Sequence, residues 1–445
     1  MDTPERDGVE SAHRSERVFR VGLLAIVLIY LTLAFLSIFR LPAINGPDEG
    51  EHLQYVRILR DQHAMPLLPR YVAAGQEARQ GDQAQHPPLY YAVLAVVSYA
   101  LPDPAPDWAI RALKLMSVLM GLVALLTTAV CARRLWPDDA TTALAAAASL
   151  AFLPMFWVMT SLLNNTAGSL AAGGVALLLL QKALAAERVR AAQWLWIGLA
   201  VSLGMLSKVT AIWLLPVVAV VIWARWRREE RREWRTLLAM VGPVVVPLLV
   251  LVGGWLLYNF THFGVLMPER VLDRRYLPMG VSTIFFLPFA RNLLIHTIVA
   301  TIPLSVVAPF WLLRGYVPNQ LAMVLLILHA LPPLLAVLIS GYGQRRHIRE
   351  RPEVHEALLL ACVLGGLAAW FVAVQAVLHD WNTGLYAGRY AIDAAPACAL
   401  IWAAGIRKLI PWHKPRVVVL VVWLGALLVV SLLIHLFMFA FFHRL

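Results

Sequence analysis

The chain has 445 residues, of which 60% are hydrophobic and only 14% charged, and its mean hydropathy is +0.70. That balance excludes a water-soluble globular fold, in which about half the residues are apolar and about a quarter charged. The formal net charge of +12 does not point to nucleic acid, because Arg and Lys sit in short runs between apolar blocks, where the positive-inside bias of membrane proteins puts them.

The apolar blocks are about twenty residues long, the helical length that crosses a bilayer core about 30 Å thick. The predicted fold is therefore an all-α polytopic membrane protein. Residues 1–17 form a polar tail of mixed charge, placed on the cytoplasmic side by Arg14 and Arg17. The first span follows at 18–39, with no small-residue cleavage site after it, so it reads as an anchor rather than a signal peptide. Residues 18–445 read as one transmembrane domain.

Residues 41–108 make a first external loop. Within it Leu53, Val56 and Leu59 recur at helical spacing beside Arg57 and Arg60, the pattern of a helix lying in the membrane interface. The segment from Pro87 to Leu101 is too short to span, at about fifteen residues, and ends in the breaker-rich LPDPAP, which predicts a juxtamembrane helix. Further spans fall near 109–131, 139–158, 166–184, 192–207, 209–226, 237–257, 319–340, 356–378, 390–407 and 417–439, for a total of about eleven, or about thirteen if two shorter segments also cross. A second external loop at 258–318 is interrupted by Arg291, Pro303 and Pro309, which makes its apolar part interfacial or re-entrant. This threading puts Arg133/Arg134 and the clusters 182–190, 225–235, 345–351 and 407–416 on the cytoplasmic side. Cys131, Cys362 and Cys398 lie within apolar blocks without ligand-like spacing and read as packing residues.

The first loop opens with Asp48, Glu49, Glu51 and His52, acids and an imidazole packed against the outer membrane surface. Acids after Pro47 suit an ordinary helix start, since they complement the dipole and the free backbone N–H groups. The alternative is that Asp48, at the water–membrane boundary, acts as general base on an acceptor hydroxyl. A second polar cluster, Gln85-His86-Pro87-Pro88-Leu89-Tyr90-Tyr91, closes the same loop and is a candidate wall of the same pocket. Lys208 stands between two short apolar segments, where it either snorkels to the interface or holds a lipid phosphate. Arg389, before the span at 390–407, has the fork geometry that suits phosphate and an equally ordinary use as an interfacial anchor.

An acidic pair after the first span followed by an HPPLYY element resembles the GT-C superfamily of membrane glycosyltransferases, which includes protein O-mannosyltransferases and aminoarabinose transferases. Further matching stretches are Ala-Arg-Arg-Leu at 132–135, Ser161-Leu-Leu-Asn164-Asn165, Leu206-Ser207-Lys208-Val209-Thr210 and Gly388-Arg389-Tyr390, so the resemblance covers about residues 20 to 410. Relatives often carry an aspartate after the asparagines, where this chain has Thr166. The resemblance implies a donor sugar on a polyprenyl phosphate, an acceptor of unknown identity and a site on the extracytoplasmic face of the plasma membrane. It implies that Asp48 and Glu49 are catalytic, that Lys208 and Arg389 hold the donor phosphate, and that Glu51, His52, His86, Tyr90, Asn164 and Asn165 line the pocket. The cofactor stays open: Glu49 with His52, His63 or His86 is one option for a divalent cation, although their spacing matches no fixed metal motif. A single base suits an inverting displacement. The alternative function is a transporter or lipid flippase, which would be expected to show paired inverted repeats with broken helices at mid-membrane, and no such pairing is visible.

Overall fold

The computed structural model describes residues 4–44, 48–73, 75–102, 104–229, 233–268, 354–379 and 392–442. Among them the chain is helical apart from connecting turns and one isolated bridge between Leu67 and Gln80. The helices are α1 (Pro4–Arg40), α2 (Glu49–Gln62), α3 (Leu89–Ser98), α4 (Asp107–Leu135), α5 (Ala140–Ala151), α6 (Pro154–Thr160), α7 (Thr166–Ala185), α8 (Ala191–Ser207) and α9 (Leu214–Arg228). They continue with α10 (Trp234–Pro247), α11 (Gly253–Phe263), α12 (Val354–His379), α13 (Ala395–Leu409) and α14 (His413–Phe442).

Six of the described helical segments are long and apolar enough to cross a membrane, or seven if the bent α5–α6 pair counts as one span. The expected spans at 192–207, 356–378 and 390–407 fall on the helices α8, α12 and α13, which among the described residues are not long and apolar enough to count as spans, while the expected span at 319–340 and most of the second external loop lie outside the described residues. The protein is an integral membrane protein. The polar tail belongs to the same continuous helix as the first span, since α1 begins at Pro4.

Two of the expected spans are not single straight helices. The segment at 139–158 divides into α5 and α6, bent by 59°, because Pro154 at the start of α6 has no N–H to continue the ladder. The span at 237–257 is continuous from Trp234 to Phe263 but passes through a π-helical turn at Leu248–Val252 just after Pro243 and Pro247, where an extra residue absorbs the missing donors.

Small residues let the helices approach. A Cβ on Gly174 of α7 would sit 3.2 Å from Ala124 Cα of α4, and one on Gly198 of α8 would sit 2.7 Å from Val244 Cα of α10, the close backbone packing that membrane helices use in place of a hydrophobic driving force. The described basic clusters gather at the ends of the helices remote from α2 and α3, and the cluster at 345–351 lies outside the described residues. Arg133 lies 3.4 Å from Glu16, Arg416 lies 2.7 Å from Asp139, and Arg228 donates to Leu184 O at 3.0 Å. Cys131 and Cys362 pack in the core as expected, whereas Cys398 is exposed although its thiol lies beside Gly366 of α12.

Candidate functional site

The first loop folds back on the helix bundle as α2 and α3. Of the three residues read at helical spacing, Leu53 and Val56 are buried and Leu59 is partly buried against the same cluster, which Tyr55 and Ile58 join. Tyr55 stacks on Tyr91 of α3 with ring centroids 3.9 Å apart, and its hydroxyl donates to His86 O at 3.2 Å. His52 pairs through Nδ1 with the Tyr91 hydroxyl at 2.8 Å, and its ring lies 6.1 Å from that of His86. The two polar clusters of the loop are thereby brought together. Burial holds the Tyr55 and Tyr91 hydroxyls well above their ordinary ionisation range, so both stay neutral hydrogen-bonding groups. Glu51 accepts from Gln83 Nε2 at 2.5 Å.

Asp48 precedes α2 with φ of 61°, in the left-handed region, is half-buried, and makes no side-chain cap bond to the helix. A non-glycine residue held there costs about 1–2 kcal/mol, which the surrounding contacts must offset. The next residue supplies several of those contacts. Glu49 is 1% exposed, lies 2.8 Å from Lys114 Nζ of α4, and accepts from the Leu163 amide at 2.9 Å. Lys114 was not singled out in the sequence because it looks like an ordinary flanking charge near the start of a span; only the fold shows it fully buried against an acid from another element.

The turn 161–165 connects this cluster to a second one. Leu163 holds Glu49 from one side, while Thr166 at the start of α7 accepts from Lys208 Nζ at 2.7 Å. Lys208 is the extended residue between α8 and the 3-10 turn Val209–Trp213, as its place between two short apolar segments suggested. Its ammonium lies 3.6 Å from Asp393, which is fully buried and also accepts from the Thr210 hydroxyl. Asp393 is a second site residue that sequence reading missed, since an isolated acid near a helix start carries no signal by itself. Asn164 Oδ1 accepts from the Thr166 amide at 2.9 Å, and the buried Nδ2 of Asn165 has no hydrogen-bond partner among the described residues. A buried donor without an acceptor is uncommon and suits a site that receives one from a ligand. Arg389 lies outside the described residues.

Beside Lys208 an apolar cavity of about 510 Å³ opens between α3, α4, α7 and α8, lined among others by Tyr90, Met120, Ala172, Trp196, Leu203 and Ser207. Tyr90 pairs with Ser117 at 2.7 Å and so turns its ring to this wall. No group of three or more His, Cys, Asp or Glu side chains among the described residues is placed to hold a metal ion.

Residues 85–258 match the dolichyl-phosphate-mannose-protein mannosyltransferase family. No curated protein matches the chain by sequence. Among solved structures it is similar to the archaeal oligosaccharyltransferase AglB from Archaeoglobus fulgidus in complex with an inhibitory peptide and a dolichol-phosphate, with a TM-score of 0.52 and 16% identity over 94% of this chain and 55% of that one. The A. fulgidus oligosaccharyltransferase tethered to an acceptor peptide gives a TM-score of 0.52 and 15% identity over 95% of this chain and 55% of that one. ArnT from Cupriavidus metallidurans bound to undecaprenyl phosphate is also similar, at a TM-score of 0.41 and 16% identity over 87% of this chain and 77% of that one. The chain thus spans about half the length (55%) of the archaeal structures it matches. The fold is that of the GT-C membrane glycosyltransferases, in agreement with the resemblance carried by the sequence motifs.

Proposed function

We propose that this GT-C-fold membrane protein is a glycosyltransferase that moves a sugar from a polyprenyl-phosphate carrier to an acceptor hydroxyl on the extracytoplasmic face of the plasma membrane. The observation that carries this reading is the junction at Ser207 and Lys208: an apolar cavity has Ser207 in its wall, and the next residue carries a buried ammonium. A ligand that fits both is an apolar chain with an anionic head. The matched family and the archaeal enzyme are both glycosyltransferases whose names carry a dolichol phosphate, as family or as bound ligand.

A sugar on a lipid phosphate already has a good leaving group, so the protein must orient the donor, neutralise the departing phosphate and take the acceptor proton. Asp48 is the general base. Its carboxylate accepts the acceptor O–H proton while the oxygen bonds to the anomeric carbon; the bond from that carbon to phosphate oxygen breaks, and the electron pair leaves with polyprenyl phosphate. A single displacement of this kind inverts the anomeric centre.

Glu49 positions Asp48 through its pairing with Lys114 and Leu163. Lys208 carries the leaving phosphate, assisted by Arg389, and the Asn165 amide donates to a ligand oxygen. Asp393 supplies the carboxylate that orients Lys208, whose ammonium also donates to Thr166. Glu51, His52, His86, Tyr90 and Asn164 shape the pocket around the acceptor and sugar.

The test is release of free polyprenyl phosphate from a panel of radiolabelled polyprenyl-phosphate sugars, with wild type and Asp48→Asn and a membrane extract as acceptor source. Turnover by wild type, with most of it lost in a folded Asp48→Asn, supports the activity and the base role together. Equal turnover by both moves the base elsewhere. Turnover by neither on any donor removes the transferase reading and makes transport the next reading to test.

A further inference from the structure

We propose that α14 is a splint across the break between α5 and α6, and that its Ser431 and His435 are positioning residues for the turn 161–165. That turn belongs to the candidate site, since its Leu163 amide donates to Glu49 at 2.9 Å, so the catalytic consequence rests on the function proposed above. α14 packs against α1, α5 and α6. Its other face, with Val418, Val421, Val422, Leu432 and Leu436, is exposed, as befits a helix at the lipid boundary of a bundle. Arg416, Leu420, Leu427 and Ser431 form its buried stripe, and His435 follows one turn on. Polar side chains in an apolar interior are costly without partners.

Each polar member of the stripe has such a partner. Arg416 Nη2 lies 2.7 Å from Asp139 Oδ2, and Asp139 caps the start of α5 by accepting from the Thr142 amide at 3.0 Å. At the other end of α5, Pro154 interrupts the ladder. In an unbroken helix the Phe152 carbonyl would accept from the amide of residue 156. Here Phe156 N donates to Leu153 O at 2.9 Å, and the freed Phe152 carbonyl accepts from the Ser431 hydroxyl at 2.9 Å. Ser431 in turn accepts from Trp157 Nε1 of α6 at 3.1 Å, so one hydroxyl joins the two sides of the break. The two attachments are 13 residues apart from Asp139 to Phe152 and 15 apart from Arg416 to Ser431, about 20 and 22 Å at 1.5 Å per residue. α14 thus runs beside α5 in the same direction and is fixed at both of its ends.

His435 extends the contact to α1. Its Nε2 donates to Leu33 O at 2.6 Å, and its ring lies edge-on to that of Trp157 with centroids 4.3 Å apart. On the same stripe of α1, Tyr30 donates to Thr160 of α6 at 2.9 Å and Ser37 accepts from Ser161 at 2.9 Å. A helix of seven residues is too short to fix its own direction. Instead α6 is held at Trp157 by α14 and at Thr160 by α1, directly before the residues that present Leu163 and Asn165 to the site.

Full-length protein in a mild detergent is followed by amide hydrogen exchange, read by mass spectrometry over peptides covering 161–166 and, as a control, 191–207 of α8. Ser431→Ala and His435→Leu are expected to raise exchange about tenfold over 161–166 and to leave the control unchanged, the size that loss of one buried hydrogen bond gives to a local opening. His435→Gln, whose amide can donate where Nε2 does, is expected to stay near wild type. Release of polyprenyl phosphate from a polyprenyl-phosphate sugar is expected to fall about tenfold or more in the two damaging variants and to hold in His435→Gln. Unchanged exchange over 161–166 in both damaging variants overturns the proposal, and so does an equal rise in the control, which would make α14 a support of the whole bundle. Failure of Ser431→Ala to fold has the same meaning, since that change removes a single oxygen. Damage by His435→Gln equal to that by His435→Leu would overturn the role of the bond to Leu33. Exchange needs no turnover, so it decides the positioning role even where the wild type shows no transferase activity, and raised exchange with unimpaired release would overturn the link to catalysis.

Discussion

Glu49 of α2 and Lys114 of α4 meet at 2.8 Å with their side chains 1% and 0% exposed. Removing one member of such a pair leaves the other as an uncompensated buried charge, which costs about 3–5 kcal/mol, whereas replacing both by apolar residues of similar size is often near neutral. Glu49→Gln is therefore expected to lower the thermal midpoint of the detergent-solubilised protein sharply, and Glu49→Leu combined with Lys114→Met to recover most of the loss. If the recovered double variant still turns over donor at the wild-type rate, Glu49 serves neither in catalysis nor in positioning Asp48.

Asp48 separates backbone from chemistry. At φ of 61° a glycine is free of the penalty an L-residue pays, so Asp48→Gly is expected to match or exceed wild-type stability by about 1 kcal/mol. Loss of a general base removes about 100- to 10,000-fold of rate, and the same variant is expected to fall by that much in polyprenyl phosphate release. A stable and fully active Asp48→Gly would show that the residue only starts the helix.

Lys208 donates to Thr166 and faces Asp393. A hydrogen bond to a charged group contributes about 1.5–3 kcal/mol, so Lys208→Met is expected to weaken donor binding by about 10- to 100-fold, read as the donor concentration at half-maximal rate. Asp393→Asn keeps the ammonium but loosens its orientation, and its expected effect is the smaller of the two on donor affinity. A larger effect from Asp393→Asn would place the acid, not the lysine, against the ligand.

The cavity beside Tyr90 and Ser207 makes a length-dependent prediction. Ala172→Trp projects an indole into it, and kcat/KM is expected to fall for a long polyprenyl donor while a short-chain, water-soluble analogue is spared. An equal loss on both donors would mean that the carrier chain lies elsewhere.

Gly198→Ala tests helix packing on the face of α8 that meets α10 rather than the cavity. Its Cβ would come within 2.7 Å of Val244 Cα, and main chain cannot swing aside as a side chain does. The expected cost is about 1–3 kcal/mol, seen as a lower thermal midpoint with the kinetics of the surviving protein unchanged.

The helical, membrane-spanning architecture was legible in the sequence because bilayer thickness imposes a length on every apolar block and the basic runs mark the turns between them. The same periodicity reasoning located α2, and the short apolar block after His86 was recognised as α3, since both depend on local spacing and local breakers. The break in the span near Phe152 depended on Pro154, a signal present but outweighed by the hydropathy around it. Among the candidate site residues, the first-loop acids, histidines and Lys208 stood out as polar groups where apolar ones were expected. What only the tertiary structure decided was their partners. Lys114 meets Glu49 across 65 positions of sequence, and Asp393 meets Lys208 across 185. The reason is physical: a buried charge is selected for its match to another charge, and that match is a property of helix packing that no local pattern records.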